Sequence, residues 1–198
     1  HPRFTFKDPA LIKHLEKGKD RSKEISEFFE AMALCHTVLP DKLNKDAEEW
    51  KYQAQSPDEE ALVIAARCFG FIFLNSNQKD KLIEVGGERK KYSILGVNEF
   101  NSHRKRMSVV LKPENSKEAI LICKGADSVM MDLLKEEGDN LATLNEHLYF
   151  FSTRGLRTLV YGVKKMNAEE YHDYVQQYDR ARNSVLDRQK KLDDVARE

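Results

Sequence analysis

The chain has 198 residues, of which 40% are apolar and 33% charged, and its 33 basic side chains balance its 33 acidic ones. This length suits one domain with a core of its own. A formally neutral chain lacks the excess positive charge with which general nucleic-acid and membrane-surface binders meet phosphates. No apolar run approaches the roughly 20 residues that span a bilayer. We therefore expect a water-soluble domain that does not bind nucleic acid.

Three cysteines, Cys35, Cys68 and Cys123, are widely spaced within apolar runs. They form no Cys-x-x-Cys pair, so the spacing predicts buried free thiols of a reducing compartment. Cys35 and His36 are neighbours but lack the further ligands of a zinc site. We predict no metal site in this chain.

The N-terminal part predicts three helices. The first starts at Asp8-Pro9, runs to Leu15 and is ended by Gly18. The second, Lys23–Cys35, has an apolar face at helical spacing, and a polar surface loop over Pro40–Trp50 follows. The third begins at Ser56-Pro57-Asp58-Glu59, where Glu59 stands three residues after Ser56 and completes a predicted capping box.

The middle of the chain predicts strands joined by short turns, at Gly86-Gly87 and at Pro113–Ser116. The predicted strands are Phe71–Leu74, Lys81–Val85, Arg89–Phe100, Met107–Leu111 and Ala119–Cys123. The remainder predicts helices over Asp127–Leu134 and Leu141–Thr153, a strand over Arg157–Val163, and a capping box at Asn167 and Glu170 that opens a charged helical tail. This order indicates an α+β fold in two layers, a mainly antiparallel sheet with flanking helices. It is not typical of a dinucleotide-binding fold.

Two segments carry residues whose chemistry invites a functional interpretation. Glu59 is first of all a helix-cap residue, yet its carboxylate can instead accept a hydrogen bond from an amino group such as that of adenine. Phe100 ends a predicted strand beside the basic turn His103–Arg106. Such a turn is usually a solvated loop, but an aromatic face beside fixed positive charge also suits a nucleobase and its phosphates.

Two further segments are similarly ambiguous. In Lys124-Gly125-Ala126-Asp127, Gly125 can simply end a strand and Asp127 cap a helix. A lysine at a strand end beside glycine is also a common contact for phosphate or purine, although the spacing is not that of a Walker A loop. Arg157, predicted on a strand between apolar neighbours, faces either a cleft or water.

Together these segments resemble, in their residues and in their order along the chain, the nucleotide-binding domain of the type IV P-type ATPases, the phospholipid flippases. The resemblance rests on Ser56–Val63, on Glu99-Phe100 with Arg104–Ser108, on Lys124–Asp127 and on Gly155–Leu159. Cys35–Val38 and the opening Phe4-Lys7-Asp8-Pro9 look like the family's lead-in, so the resemblance covers nearly the whole chain.

The resemblance implies ATP binding and a role for each matching residue. Phe100 would stack on adenine, Glu59 would face its edge, and Lys124 would line the bottom of the pocket. Lys105 and Arg157 would approach the ribose and phosphates. The further candidates for ATP contact are Asp58, Ser102, Arg104 and Gly125. Glu60 departs from the small residue that the family often has there, and adds a negative charge.

The resemblance also implies a parent pump at the cytosolic face of a eukaryotic membrane. This domain would use ATP with Mg²⁺, and would work with the phosphorylation and actuator domains, an accessory transmembrane glycoprotein and a phospholipid bound elsewhere. The Asp-Lys-Thr-Gly-Thr phosphorylation motif is absent from the sequence, so we expect no catalytic residue here and no hydrolysis by the isolated chain. We expect one domain over 1–198, with a lead-in (1–55), a sheet core with the ATP site (56–165) and a helical tail (166–198).

Two alternatives remain open at this point. The chain can be the nucleotide-binding domain of a cation-pumping P-type ATPase, or an interaction module that docks an acidic partner through His103–Arg106.

Overall fold

Six antiparallel strands form one sheet whose order in space, β3 to β8, is their order along the chain. The computed structural model describes residues 4–15, 22–40, 52–134 and 140–197. The helices are α1 (Pro9–Leu15), α2 (Ser22–Leu34), α3 (Pro57–Cys68), α4 (Asp127–Met130), α5 (Asn140–Ser152), α6 (Ala168–Arg182) and α7 (Arg188–Val195). The strands are β1 (Leu39–Pro40), β2 (Tyr52–Gln53), β3 (Phe71–Ser76), β4 (Asp80–Val85), β5 (Glu88–Asn101), β6 (Arg106–Pro113), β7 (Ala119–Gly125) and β8 (Val160–Met166). The predicted α+β class and antiparallel sheet are confirmed.

Helices flank both faces of the sheet, because its central strands are apolar on both sides. On one face, α2 and α3 pack on side chains such as Val109, Leu111 and Ile122. On the other, α6 contributes Tyr171 to a cluster with Val110, while α4 contributes Met130 beside Cys123. The result is a rigid sheet that fixes the positions of its strand ends. No helix among the described residues is long and apolar enough to cross a membrane.

The C-terminal segment forms two helices, where a single charged tail was predicted. The predicted capping box is confirmed, because Asn167 Oδ1 accepts from the Glu170 backbone amide and Glu170 accepts from that of Asn167. Helix α6 then lies on the sheet, where the Tyr178 hydroxyl donates to the carbonyl of Val97 at 3.0 Å. Helix α7 follows after a break at 183–187, in which Asp187 adopts a positive φ of 54°.

Two local predictions are wrong. Cys68 is exposed, because it lies on the outer side of α3, although Cys35 and Cys123 are buried free thiols as predicted. Burial raises the pKa of the Cys35 thiol to about 12, which keeps it protonated. The last strand begins at Val160, so Arg157 lies in the preceding loop, where its chain is not held by strand pairing. The predicted helix start at Asp127 is confirmed, although Ala126 and not Asp127 occupies the N-cap position. Two further predictions, the stop at Gly18 and most of the loop Pro40–Trp50, lie outside the described residues.

A buried lysine, Lys81, fixes the end of α2. Its ammonium donates to the carbonyls of Leu34 at 2.7 Å and His36 at 2.6 Å. Carbonyls at a helix C-terminus lack helical partners and carry partial negative charge, so a cation there is stabilising. Burial lowers the pKa of Lys81 to about 8.

The Lys81 pKa makes a prediction about stability at high pH. The folded-state pKa lies below the ordinary value of 10.5, so between about pH 8 and 10.5 the unfolded chain binds more protons than the folded chain. The free energy of unfolding of the wild type should therefore rise with pH relative to a Lys81→Met variant, by at most about 1.4 kcal/mol per pH unit. Urea unfolding from pH 7 to pH 10 measures the difference. Lys79→Met, an exposed lysine in the turn before β4, is the control and should show no such trend.

Candidate functional site

Four neighbouring strands start or end at the same edge of the sheet, and the predicted site residues gather there. In the pairing register, Asn101 of β5 lies opposite Arg106 of β6, Arg106 opposite Gly125 of β7, and Gly125 opposite Val160 of β8. This row places Phe100, the 102–105 turn, Lys124 and the loop before β8 side by side. Adjacent strands lie about 4.8 Å apart, so β5 and β7 are separated by about 10 Å at this edge.

A largely buried ion pair joins α3 to β7. Glu59 Oε1 lies 2.8 Å from Lys124 Nζ, and the two side chains are 13% and 7% exposed. Glu59 Oε2 accepts from the hydroxyl of Thr37 at 2.9 Å and from its backbone amide at 3.3 Å. Burial by itself would raise the pKa of Glu59, but the hydrogen bonds and charge of Lys124, aided by Thr37, outweigh it and lower that pKa. The carboxylate is therefore held ionised against its partner.

The predicted capping box at Ser56 and Glu59 is wrong in its second half. Ser56 does cap α3, since its hydroxyl accepts from the Asp58 amide at 3.2 Å. Glu59, however, turns away from the cap toward Lys124 and Thr37. Charge pairing with a buried ammonium outweighs one backbone amide as a partner. The carboxylate thus leaves the cap, and the amino group that it meets within the chain is that of Lys124.

Arg157 and Asp58 form a second, exposed pair beside the first. Arg157 Nη2 lies 2.7 Å from Asp58 Oδ1, and the side chains are 81% and 43% exposed. Asp58 directly precedes Glu59 at the start of α3, so both pairs meet at this helix end. Exposed ion pairs contribute little stability, so the guanidinium can exchange this partner for another anion at low cost.

Gly125 allows the β5–β6 turn to approach β7 closely. A Cβ at this position would lie 2.8 Å from the Lys105 carbonyl oxygen and 2.6 Å from Arg106 Cβ. The same Lys105 carbonyl accepts from the Ala126 amide at 3.1 Å. Lys105 adopts a positive φ of 51° and leaves its side chain exposed. Its backbone is therefore fixed next to Lys124 while its ammonium faces solvent.

We call the residues described so far the site cluster: Asp58, Glu59, Lys105, Lys124, Gly125 and Arg157. Of the remaining candidates, two lie beside this cluster and one does not. Phe100 is 63% exposed at the end of β5, and Ser102 is exposed in the turn. Arg104 does not join the cluster, because its side chain is buried and pairs with Asp193 of α7 at 3.0 Å. A groove of about 400 Å³ lies between the turn and α7 and is bordered by Phe100, whereas Glu59 and Lys124 lie outside it.

Sequence reasoning missed Thr37 and Asp193. Thr37 lies in the Cys35–Val38 segment that carried part of the resemblance, but nothing in its spacing indicated that it would hold Glu59. Asp193 is one carboxylate among many in a charged helix. Only the folded chain reveals these contacts, because it brings residues 37, 59 and 124 together and places residue 193 beside residue 104.

The arrangement combines an exposed aromatic ring, three cations and an anchored carboxylate at one sheet edge. The ring, Phe100, offers a flat surface for stacking. The cations Lys105, Lys124 and Arg157 suit a polyanion such as phosphate. A carboxylate has about four lone-pair positions, so Glu59 keeps acceptor capacity beyond Lys124 and Thr37.

The lowered pKa of Glu59 predicts how stability depends on acid. Its stabilising effect is present above the ordinary pKa of 4.5 and is lost as the pH falls from there through the lower folded-state value. Glu59→Gln should cost about 2 kcal/mol of unfolding free energy at neutral pH, the scale of hydrogen bonds to charged groups. This cost should shrink as the pH falls below 4.5. Urea unfolding across that range measures it, with exposed Glu114→Gln on a distant hairpin as control. An equal cost at all pH values would contradict the prediction.

Comparison with known proteins supports the resemblance that the sequence shows. Residues 24–195 match the family described as "P-type ATPase, cytoplasmic domain N". The chain is 40% identical over 203 residues to "Phospholipid-transporting ATPase DNF2" of Saccharomyces cerevisiae, covering 97% of this chain and 12% of that protein. It is 39% identical to "Phospholipid-transporting ATPase IC" of Xenopus tropicalis, covering 98% of this chain and 15% of that protein. It is 38% identical to "Probable phospholipid-transporting ATPase 12" of Arabidopsis thaliana, covering 97% and 17%.

The chain thus spans less than one fifth of the length of these relatives, which carry much more polypeptide than one cytoplasmic domain. The similarity covers nearly all of the present chain and includes the sheet, the flanking helices and every residue of the cluster described above. The chain therefore belongs to the family of P-type ATPase cytoplasmic N domains.

Proposed function

We propose that this chain binds ATP at the sheet edge formed by β5 to β8. The observation that carries the proposal is the convergence of Phe100, Lys105, Lys124 and Arg157 on four in-register strand ends and the adjoining loop. Adenine stacks on Phe100, whose ring is exposed enough to receive a base. The exocyclic amine of adenine donates to Glu59, and the phosphates pair with Lys105 and Arg157.

The two ion pairs have different tasks in this proposal. The Glu59–Lys124 pair is nearly buried and forms the fixed floor of the pocket. The Arg157–Asp58 pair is exposed, so the guanidinium leaves Asp58 for the phosphates with little loss. Nucleotide binding thus exchanges one weak pair for a stronger, charge-assisted contact.

The donor set suits a nucleotide better than it suits a metal ion. No group of three His, Cys, Asp or Glu side chains that could hold a metal ion occurs within the described ranges. Asp58 and Glu59 are each engaged by a cation. We propose that Mg²⁺ accompanies the phosphates of ATP and that ligands for it come from outside this chain. With few phosphate contacts, the isolated domain should bind ATP with a Kd of roughly 10⁻⁴ M or weaker.

In the intact protein, we propose that the bound ATP is presented to the phosphorylation domain of the same polypeptide. An aspartate carboxylate there attacks the γ-phosphorus, forms an aspartyl phosphate and releases ADP. The contribution of this chain is to raise the effective concentration of the γ-phosphate at that carboxylate. The isolated chain is then inactive in hydrolysis.

The names of the relatives support a phospholipid-transporting pump as the parent. We propose that this domain lies at the cytosolic face of a eukaryotic membrane, where phosphorylation drives phospholipid translocation between leaflets. It works there with phosphorylation and actuator domains and an accessory transmembrane glycoprotein. The amino-acid sequence of the segments around Glu59 and Arg104–Ser108 favours phospholipid pumps over cation pumps.

The proposal predicts that Phe100→Ala weakens ATP binding about tenfold, because base–aromatic stacking contributes roughly 1–3 kcal/mol per base. Folding should be unaffected, since the ring is 63% exposed. Titration of ATP followed by backbone amide shifts gives the Kd, and the shifts should centre on Phe100 and Lys124.

The matched control is Phe6→Ala. Phe6 is a comparably exposed ring, 53%, which contacts Phe69 at the opposite end of α3 from Glu59. Its removal should leave the Kd unchanged. Equal affinity of the Phe100→Ala variant and the wild type, shifts that avoid this edge, or ATP hydrolysis by the isolated chain would each contradict the proposal.

A further inference from the structure

Helix α7 is tied to the β5–β6 turn through one carboxylate, that of Asp193. Its Oδ1 lies 3.0 Å from Arg104 Nε and accepts from Asn101 Nδ2 at 3.0 Å. The same oxygen accepts from Gln189 Nε2 at 3.2 Å, within the helix. The Asp193 side chain is 19% exposed. A single atom therefore links the C-terminal helix to Asn101 at the end of β5 and to Arg104 within the 102–105 turn.

Asn101 and Arg104 lie between the site residues Phe100 and Lys105 in the chain, and both hold the backbone of this segment. Asn101 Oδ1 accepts from the Arg104 amide at 2.7 Å, and the Asn101 carbonyl accepts from the Lys105 amide at 2.8 Å. The guanidinium of Arg104 donates to the carbonyl of Glu99. Phe100 thus lies between Glu99 and Asn101, which are both held by hydrogen bonds. Lys105 directly follows Arg104, which is held as well.

The contact between Arg104 and Asp193 is largely removed from water. The Arg104 side chain is 4% exposed, so its charge depends on partners within the fold. Removing one partner of a buried pair leaves the other charge uncompensated and drives local rearrangement. Here the group left behind belongs to the turn that carries Phe100 and Lys105. The helix holds this turn without covering the ring, since Phe100 is 63% exposed.

We propose that Asp193 is a positioning residue for the ATP site. Through Asn101 and Arg104 it fixes the β5–β6 turn, so that the Phe100 ring and the Lys105 ammonium are held in place before the nucleotide arrives. This inference rests on the proposed function, because it assumes that Phe100 and Lys105 contact ATP. Its physical basis is preorganisation: a turn fixed in the free protein loses less entropy when the ligand binds.

The test compares Asp193→Asn, which keeps the shape of the side chain and removes its charge, with Asp194→Asn. Asp194 is the neighbouring carboxylate on α7; it is 54% exposed and pairs with Arg197 on the same helix turn. Both variants lose one negative charge from the same helix. We expect the ATP Kd of Asp193→Asn to rise about fivefold to tenfold, and that of Asp194→Asn to stay within twofold of the wild type.

A second readout separates positioning from general destabilisation. In the nucleotide-free protein, Asp193→Asn should shift or broaden the amide signals of residues 99–105, while those of Thr37, Glu59 and Lys124 stay in place. Loss of stability alone would not single out this turn. A double-mutant cycle with Arg104→Met tests the route, because the double variant should lose no more affinity than the worse single variant.

The outcomes distinguish this inference from the function on which it rests. If the wild type binds ATP and Asp193→Asn binds equally well with unchanged turn signals, the positioning role is overturned and the ATP site stands. If the wild type gives no ATP-dependent shifts, both fail. If Asp193→Asn does not fold, the cycle is replaced by Asn101→Ala, which removes the side-chain link from the turn and should give the same loss of affinity; unchanged affinity would again overturn the role.

Discussion

The ion pair between Glu59 and Lys124 is the contact on which the architecture of the site depends. It joins residues 65 positions apart, one at the start of α3 and one at the end of β7. A charge this deeply buried is tolerated only with a partner. The pair therefore fixes the helix end against the sheet edge, and the neighbouring Asp58 brings Arg157 to the same place.

Around this fixed pair, the site has a rigid part and an adaptable part. Glu59, Lys124 and Thr37 are held by short contacts and burial. Phe100, Lys105 and Arg157 are exposed and meet solvent. This division fits the proposed function, in which the rigid part locates ATP and the exposed side chains bind and release it. Turn anchoring through Asp193 limits how far the adaptable part can move.

Strand positions were predictable from the sequence because alternation and turn residues are local signals, and the five predicted strands of the middle segment are all present. The two predicted capping boxes show the limit of what local sequence signals can predict. Asn167 and Glu170 form one as predicted, whereas Glu59, at the same spacing from Ser56, binds Lys124 instead. The difference lies in a residue brought near by the fold, which spacing cannot reveal. Arg157 was likewise placed on a strand because its apolar neighbours alternate, although pairing starts only at Val160. The assignment of site residues came from resemblance rather than from spacing.

Because consecutive strands are antiparallel neighbours, the turns that join them lie alternately at two opposite edges of the sheet. The turns at Gly86-Gly87 and at 114–118 connect strands at the edge opposite Asn101 and Gly125. A change of loop length there leaves the site strands paired at the other edge, where Asn101, Arg106, Gly125 and Val160 lie in register. This far edge is accordingly a suitable place for a fused reporter or an affinity tag, because it lies away from the proposed nucleotide site.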